Sequence, residues 1–238
     1  MIAMLATAEF WIGLLKIIWV NLLLSGDNAV VIALAARSLP PRQQRKAISW
    51  GSGAAIALRI LLTLFAVALL ALPWLKIVGG VLLIWIGVQL LVPDDGDEKV
   101  SSSDNLITAI RTILVADLVM SLDNVLGVAA AAETAPGEAK LVLLILGLAI
   151  SIPIIIFGST IVLHMMERFP IIITFGGGLL GWIAGEMMVT DPAIAGWVQA
   201  QAPWLHSYYV SAALGAIIVV AIGAVLARRG RPSSEAEA

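Results

Sequence analysis

Two short stretches of this sequence place carboxylates and amides inside long apolar runs. They are NLLLSGDNAVVIALAA, residues 21–36, and DLVMSLDNVLGVAAAA, residues 117–132. Both contain the pattern S-x-D-N, whose acidic and amide residues are Asp27 with Asn28 and Asp123 with Asn124. Carboxylate and amide oxygens are the ligands that hard divalent cations such as Mn²⁺, Mg²⁺ and Ca²⁺ prefer in proteins. The duplicated motif therefore predicts a cation site built from both stretches.

Several other residues are candidate ligands of the same site. Asn21 aligns with Asp117 at the start of the two motifs, so the two half-sites differ in charge. Met120 replaces a leucine of the first motif, and a thioether ligand favours Mn²⁺ over Ca²⁺ or Mg²⁺, whereas its alternative role is simple packing. Glu186, which aligns with Gln89, is a candidate ligand, proton carrier or interfacial residue.

Two further features concern how the site is held. Ser25, Gly26 and Ser121 interrupt the apolar runs with residues that weaken a helix or compete for its backbone hydrogen bonds. We therefore expect a broken helix there, with carbonyl oxygens exposed beside the carboxylates. Arg59 lies well inside another apolar segment. It is a candidate gate or counter-charge for the acidic residues, and a static ion pair is the alternative.

The elements that carry these residues are those of a membrane protein. The chain has 238 residues, of which 61% are hydrophobic and 13% are charged, and its mean hydropathy is +1.02. A typical soluble domain is about half apolar and a quarter charged. Seven segments are long enough to cross about 30 Å of hydrocarbon as helices. We predict them at residues 9–36, 47–72, 74–92, 106–132, 139–164, 170–190 and 208–228.

The basic residues predict the orientation of these segments. With the N-terminus outside, ten Lys and Arg residues fall in the inner loops and the C-terminal tail, and only Lys76 and Lys140 fall in the outer loops. Because inner loops are enriched in Lys and Arg, this pattern favours an N-out, C-in, multi-pass protein of the cell inner (plasma) membrane. The N-terminus has no basic region before its apolar residues, so we expect no signal peptide.

The motif belongs to a longer internal repeat. PWLKIVGGVLLIWIGVQ, residues 73–89, aligns with PIIITFGGGLLGWIAGE, residues 170–186. Each repeat holds three predicted helices, and because three is odd the two repeats must have opposite orientations. Inverted repeats with a site at the membrane midplane are typical of secondary transporters. The predicted divisions are 1–92, first repeat; 93–105, acidic cytoplasmic linker; 106–190, second repeat; 191–228, outer loop and seventh helix; and 229–238, disordered cytoplasmic tail.

The seventh helix lies outside the repeat, so we expect it to cover a face of the bundle or to form a contact in a homo-oligomer. Gly177, Gly181 and Gly185, at spacing four, predict a seam of close helix packing.

Some kinds of chemistry are excluded by composition. The chain has no cysteine, which excludes disulfides and thiolate sites, and its two histidines lie far apart. No nucleophile and base are paired in a recognisable motif. We therefore expect neither an enzyme nor a nucleic-acid-binding protein, and we expect no prosthetic group.

At the two motifs the chain resembles the TerC family of integral membrane proteins, especially its YjbE-like branch. The resemblance covers about residues 10–190 and includes the three-helix repeat. The family is linked to manganese export and homeostasis and is grouped with the LysE-type exporters. The resemblance implies that Asp27, Asn28, Asp123 and Asn124 line a metal site, with Asn21, Asp117 and Glu186 as further contributors.

These observations predict a transporter of divalent cations that works by alternating access with proton exchange, and the resemblance implies export, with Mn²⁺ as the expected ion. Its expected partners are the lipid bilayer, a divalent cation and protons. Two alternatives from the sequence are a membrane metallation factor that supplies metal to secreted enzymes and a LysE-type exporter of organic cations or amino acids. The second would need a group for a carboxylate, and only Arg59 offers one.

Overall fold

The computed structural model is all-α, and it describes residues 8–23, 26–70, 72–92, 102–133, 140–206 and 209–229. Ten helices lie within these ranges. They are α1, Ala8–Leu23; α2, Gly26–Ala36; α3, Pro41–Leu70; α4, Leu75–Leu91; α5, Ser102–Glu133; α6, Lys140–Arg168; α7, Ile171–Val189; α8, Ala195–Gln201; α9, Pro203–His206; and α10, Val210–Arg229.

The predicted all-α polytopic membrane class is confirmed. Four helices of the described part are long and apolar enough to cross a membrane, and three shorter apolar helices accompany them. The long segments are Asn105–Leu122, Ile145–Arg168, Ile171–Val189 and Val210–Arg228, and the short ones are Phe10–Val20, Gly26–Ala36 and Leu75–Leu91. The predicted first span is described as α1 and α2, and the two residues between them lie outside the described part.

The chain divides into two compact units that each draw on both sequence repeats. The first unit comprises residues Met1–Leu72 and Leu106–His164, and the second comprises Pro73–Asn105 and Met165–Ala238. The first unit therefore contains the first two helices of each repeat. The second unit contains α4 and α7, the third helices of the repeats, together with α10.

In the first unit, two glycines bring pairs of helices into close contact. Gly51 of α3 lies against Ile113 of α5, and Gly147 of α6 lies against Ile17 of α1, so closely that an added methyl group would meet the isoleucine side chain. Gly147 is 96 residues after Gly51, and Ile113 is 96 residues after Ile17. This is the spacing of the S-x-D-N motifs. The first helix of each repeat thus packs on the second helix of the other repeat through the same contact.

In the second unit, the repeat-related helices α4 and α7 run antiparallel. Gly80 of α4 lies against Met188 near the end of α7, and Gly177 of α7 lies against Leu91 at the end of α4. Each residue of the second contact has its counterpart 97 residues away in the first. One contact is therefore used twice, in opposite directions.

The final helix packs on α7 along small residues. Gly181 lies against the backbone of Gly215, and Gly185 lies against the backbone of Ser211. Side chains this small let two backbones approach closely, which is how many membrane helices associate. The predicted glycine seam is confirmed for Gly181 and Gly185, and its partner is α10, whereas Gly177 packs on α4.

An acidic side chain caps the start of α4. Asp191, fully buried after the end of α7, accepts hydrogen bonds from the backbone N–H groups of Trp74, Lys76 and Ile77 at 2.9, 2.9 and 3.2 Å, and from that of Ala193 at 2.7 Å. Trp74, the N-cap residue, has a left-handed φ of 72° and makes no side-chain cap of its own. Asp191 supplies the missing cap and fastens α4 to the end of α7.

The electrostatics of Asp191 follow from these bonds. Burial opposes ionisation of the carboxyl, but the N–H groups of Ala193, Trp74, Ile77 and Lys76 favour the charged form and hold the pKa of Asp191 below its ordinary value of 3.8. A lowered pKa in the folded state means that the charged form stabilises the fold.

We predict that Asp191→Asn lowers the free energy of unfolding by about 1–2 kcal/mol at neutral pH, because the amide is a poorer acceptor for a helix N-terminus. The stabilisation is present above pH 3.8 and is lost as the pH falls through the lowered pKa of the folded protein. Thermal unfolding in detergent at a series of pH values would measure it. The gap between wild type and variant should close in acid, and an equal gap at all pH values would contradict the assignment. Glu167→Gln, at an exposed acidic residue, is the control.

We predict that Gly215→Ala lowers the free energy of unfolding by about 1–3 kcal/mol, because the new methyl group would overlap the backbone of Gly181 and force α7 and α10 apart. Gly196→Ala is the matched control, since the space beside Gly196 is open and Ala is the better helix former. Unfolding followed by the accessibility of cysteines introduced on α10 would compare the two. Equal stability of the two variants would rule out a tight α7–α10 contact.

Candidate metal site

A buried network of charged and polar side chains joins α3 to α5 in the first unit. Nη2 of Arg59 lies 2.6 Å from Oδ1 of Asp117, and Nε of Arg59 donates to Oγ of Ser121 at 2.9 Å. The Ser121 hydroxyl donates in turn to Oδ2 of Asp117 at 3.1 Å. Arg59 is 1% exposed and Asp117 6%. The guanidinium is therefore held by two residues of the same helix.

The spacing of α5 explains why both partners meet Arg59. Ile113, Asp117 and Ser121 follow one another at intervals of four, so they lie on one face of the helix. Gly51 packs on Ile113 at one end of this face, and Arg59, two turns further along α3, reaches Asp117 and Ser121 at the other. The two helices consequently run parallel. Removing charges from water is costly, and the pairing offsets that cost.

The first motif lies at the start of α2. Gly26 is the first residue of this helix, and Asp27 lies in its first turn, where a carboxylate is favoured by the helix dipole. Oδ1 of Asp27 accepts the backbone N–H of Asn28 at 2.8 Å. Asp27 is half-buried and Asn28 is only 2% exposed. The charges of Arg59 and Asp117 both act on the Asp27 carboxylate, so the motif and the network form one electrostatic neighbourhood.

The remaining predicted site residues fall into three groups. Met120 is buried in α5 at 3% exposure, and Glu186 is a half-buried residue of α7, in the second unit. The side chains of Asn21, Asp123 and Asn124 lie outside the described residues, as does the whole of Ser25. Among the side chains that are described, no three Asp, Glu, His or Cys residues form a cluster that could hold a metal ion.

The predicted break at Ser121 is wrong. A single helix runs from Ser102 to Glu133 through the whole second motif. The physical reason is that the Ser121 hydroxyl bonds to side chains, Asp117 and Arg59, and does not compete for the backbone hydrogen bonds of its helix. At Gly26 the helix α2 begins and α1 ends at Leu23.

The pairing of Arg59 with Asp117 was one of several roles that the sequence left open, although a signal for it exists. At the spacing of 96 residues, Arg59 aligns with Ile155 and Asp117 aligns with Asn21. Arg59 and Asp117 are both present where α3 packs on α5. Their counterparts on α6 and α1, where the same contact recurs, are both uncharged. Two opposite charges that are both present in one repeat contact and both absent from the other indicate an ion pair. The cap formed by Asp191 had no such signal, because its partners are backbone groups 114 to 117 residues away.

We predict that Asp117→Asn and Arg59→Ile each lower the free energy of unfolding by about 3–5 kcal/mol, because each leaves an unpaired buried charge. The double variant should lose much less than the sum, since it removes both charges. Chemical unfolding of purified protein in detergent would give the coupling energy. Additive losses would show that the two charges do not stabilise one another.

The sequence model of the integral membrane protein TerC family matches residues 6–234. The uncharacterized membrane protein YjbE of Bacillus subtilis (strain 168) is 46% identical over 187 residues, which cover 79% of this chain and 84% of YjbE.

Two more distant relatives come from the same organism. The uncharacterized membrane protein YkoY is 24% identical over 193 residues, covering 74% of this chain and 59% of YkoY. The uncharacterized membrane protein YceF is 25% identical over 175 residues, covering 69% of this chain and 66% of YceF. No solved structure matches the chain. The family match spans nearly all of the sequence, and the chain therefore belongs to the TerC family of integral membrane proteins.

Proposed function

We propose that this protein exports divalent metal cations, with Mn²⁺ as the preferred ion, by alternating access between two inverted repeats. The observation that carries the proposal is the S-x-D-N motif, which occurs twice within apolar segments of the sequence. Its Asp27 lies half-buried at the start of α2, in the field of a buried ion pair. An acidic residue inside a membrane segment is expensive, and such residues commonly mark ion pathways and proton relays.

The helix contacts support an inverted arrangement of the repeats. The related helices α4 and α7 pack antiparallel through contacts that correspond at a spacing of 97 residues. In the first unit, the contacts of Gly51 and Gly147 correspond at a spacing of 96. The parallel course of α3 and α5 fits an odd number of membrane crossings between them, and we propose that α4 makes one crossing. We propose seven crossings, with the N-terminus outside and the C-terminus inside, as the distribution of Lys and Arg favours.

The ligands we propose are the carboxylates of Asp27 and Asp123 with the amide oxygens of Asn28 and Asn124. Such a set suits Mn²⁺, Mg²⁺ and Ca²⁺ alike. The preference for Mn²⁺ follows from the resemblance to the TerC family and from Met120, whose thioether lies in the helix that carries Asp123.

Export of a dication from an inside-negative cell must be driven. The membrane potential opposes it by ~4.6 kcal/mol per 100 mV, twice the value for one charge. We propose exchange with protons. The ionised aspartates bind the metal while they face inward, and they take up protons as they release it outward. A carboxylate that loses its cation in an apolar site favours the protonated form, which makes the return step neutral.

Flux of Mn²⁺ into proteoliposomes loaded with a metal-sensitive dye tests the proposal. We expect saturable flux in wild type and a loss of at least about tenfold in Asp27→Asn and Asp123→Asn, because each removes one ligand charge. Glu167→Gln should retain full activity. An imposed proton gradient should accelerate the flux, and Ca²⁺, Mg²⁺ and Zn²⁺ as competitors should rank the ions. Wild-type protein that binds Mn²⁺ without transporting any divalent ion would refute export and favour a metallation factor.

A further inference from the structure

We infer that Arg59 sets the charge of the ion site: it cancels the charge of Asp117, so that the bound cation meets only the two motif aspartates. Asp117 is then the counter-ion of Arg59 and not a ligand of the metal. The identity of the ion in this inference rests on the proposed function. Arg59 is then a positioning residue that makes the site specific for a cation with two charges.

The first observation is that Asp117 is already engaged. Its Oδ1 lies 2.6 Å from the Arg59 guanidinium, and its Oδ2 accepts the Ser121 hydroxyl at 3.1 Å. The network is closed by the bond from Arg59 to Ser121. A metal ion would have to compete with the guanidinium at Oδ1 and with the Ser121 hydroxyl at Oδ2, and the metal ion and the guanidinium would repel one another.

The second observation is the pseudo-symmetry of the unit. The contact between Gly51 and Ile113 corresponds to the contact between Gly147 and Ile17. At the same spacing, Arg59 corresponds to Ile155, which is buried and apolar, and Asp117 corresponds to Asn21. The motif aspartates are kept in both repeats, whereas the third carboxylate occurs only where a guanidinium accompanies it. A ligand of the ion would not require this partner.

The third observation concerns Asp27. The positive charge of Arg59 and the negative charge of Asp117 act on it with opposite signs. Because the two charges are held 2.6 Å apart, they act against each other on any group nearby. If one is removed, the other acts alone in a region of low dielectric constant, where a single charge has a large effect. The two single substitutions should therefore have different consequences for cation binding.

Equilibrium binding of Mn²⁺ to purified protein in lipid nanodiscs, followed by the electron paramagnetic resonance of the free ion, tests this inference without relying on transport. Asp117→Asn leaves Arg59 uncompensated, so the dissociation constant should rise at least about tenfold. Arg59→Ile leaves no extra positive charge, so Mn²⁺ should bind as tightly as in wild type or more tightly. The double variant should return to within about threefold of wild type.

Two further variants complete the design. Arg59→Lys keeps the positive charge that compensates Asp117, so its loss of Mn²⁺ affinity should be much smaller than that of Asp117→Asn. Asp27→Asn removes a proposed ligand, and its weakened binding should not be rescued by Arg59→Ile. Monodisperse elution and helix content would be required of every variant, so the double variant keeps the test decisive if a single one is poorly folded.

The results separate the explanations. Rescue of Asp117→Asn by Arg59→Ile supports the inference. Weak binding in the double variant would make Asp117 a ligand and overturn it. An unchanged dissociation constant in Asp117→Asn would reduce the pair to a purely structural role and would also overturn it. Failure of the proposed function looks different, because wild type would then bind Mn²⁺ without moving it, and the comparison of dissociation constants would still stand. Absence of Mn²⁺ binding in wild type would overturn both proposals.

Discussion

The ion pair between Arg59 and Asp117 is the interaction on which the first unit depends. Arg59 is 1% exposed, so its guanidinium has no water to stabilise it. The membrane offers it no alternative partner, so the protein must provide one at fixed geometry. Asp117 and Ser121 do so from one face of α5, and this requirement fixes how α3 and α5 lie against each other. Because Asp117 and Ser121 belong to the second motif, the contact also sets where that motif lies along α3.

Glycine makes this arrangement sterically feasible. Membrane helices gain little from burying apolar surface against one another, since lipid is as apolar as their side chains, so they associate through close packing. Gly51 and Gly147 each accommodate an isoleucine of a neighbouring helix, and Gly80 and Gly177 do the same for Met188 and Leu91. These contacts correspond in pairs, so the same glycine contact occurs once in each repeat. A duplicated three-helix segment can therefore build two units whose helices come from both copies.

Much of this architecture could be predicted from the sequence, because it depends on composition and on repetition. Apolar length predicted membrane helices, and glycines at spacing four predicted a seam of close packing on α7, although only the structure shows that α10 is the partner of Gly181 and Gly185. The continuity of α5 through Ser121 could not be predicted in the same way. The Ser121 hydroxyl does not compete for the hydrogen bonds of the helix backbone, because it bonds to side chains. One of these belongs to Arg59, which is 62 residues away and becomes its neighbour only in the folded chain.

The candidate site was predicted less completely for the same physical reason. Sequence alignment made Asp117 a plausible ligand, since it is acidic and belongs to the motif. Only the folded protein shows that Arg59 occupies one of its oxygens and Ser121 the other. The cap that Asp191 forms on α4 was also beyond sequence reasoning. The Asp191 carboxylate accepts hydrogen bonds from backbone N–H groups. Nearly every residue type has such a group, so the types of the donor residues do not reveal the cap.

The charge balance resolves a difficulty that the unequal motifs create. An alternating-access site between inverted repeats works in both directions when its two halves present comparable ligands. The first motif has Asn21 where the second has Asp117, and this difference alone would give the second half an extra negative charge. Arg59 removes it by pairing with Asp117. In the site that we propose, each half then contributes one motif aspartate, Asp27 or Asp123, and two such charges match a divalent cation. The asymmetry of the sequence therefore does not become an asymmetry of charge.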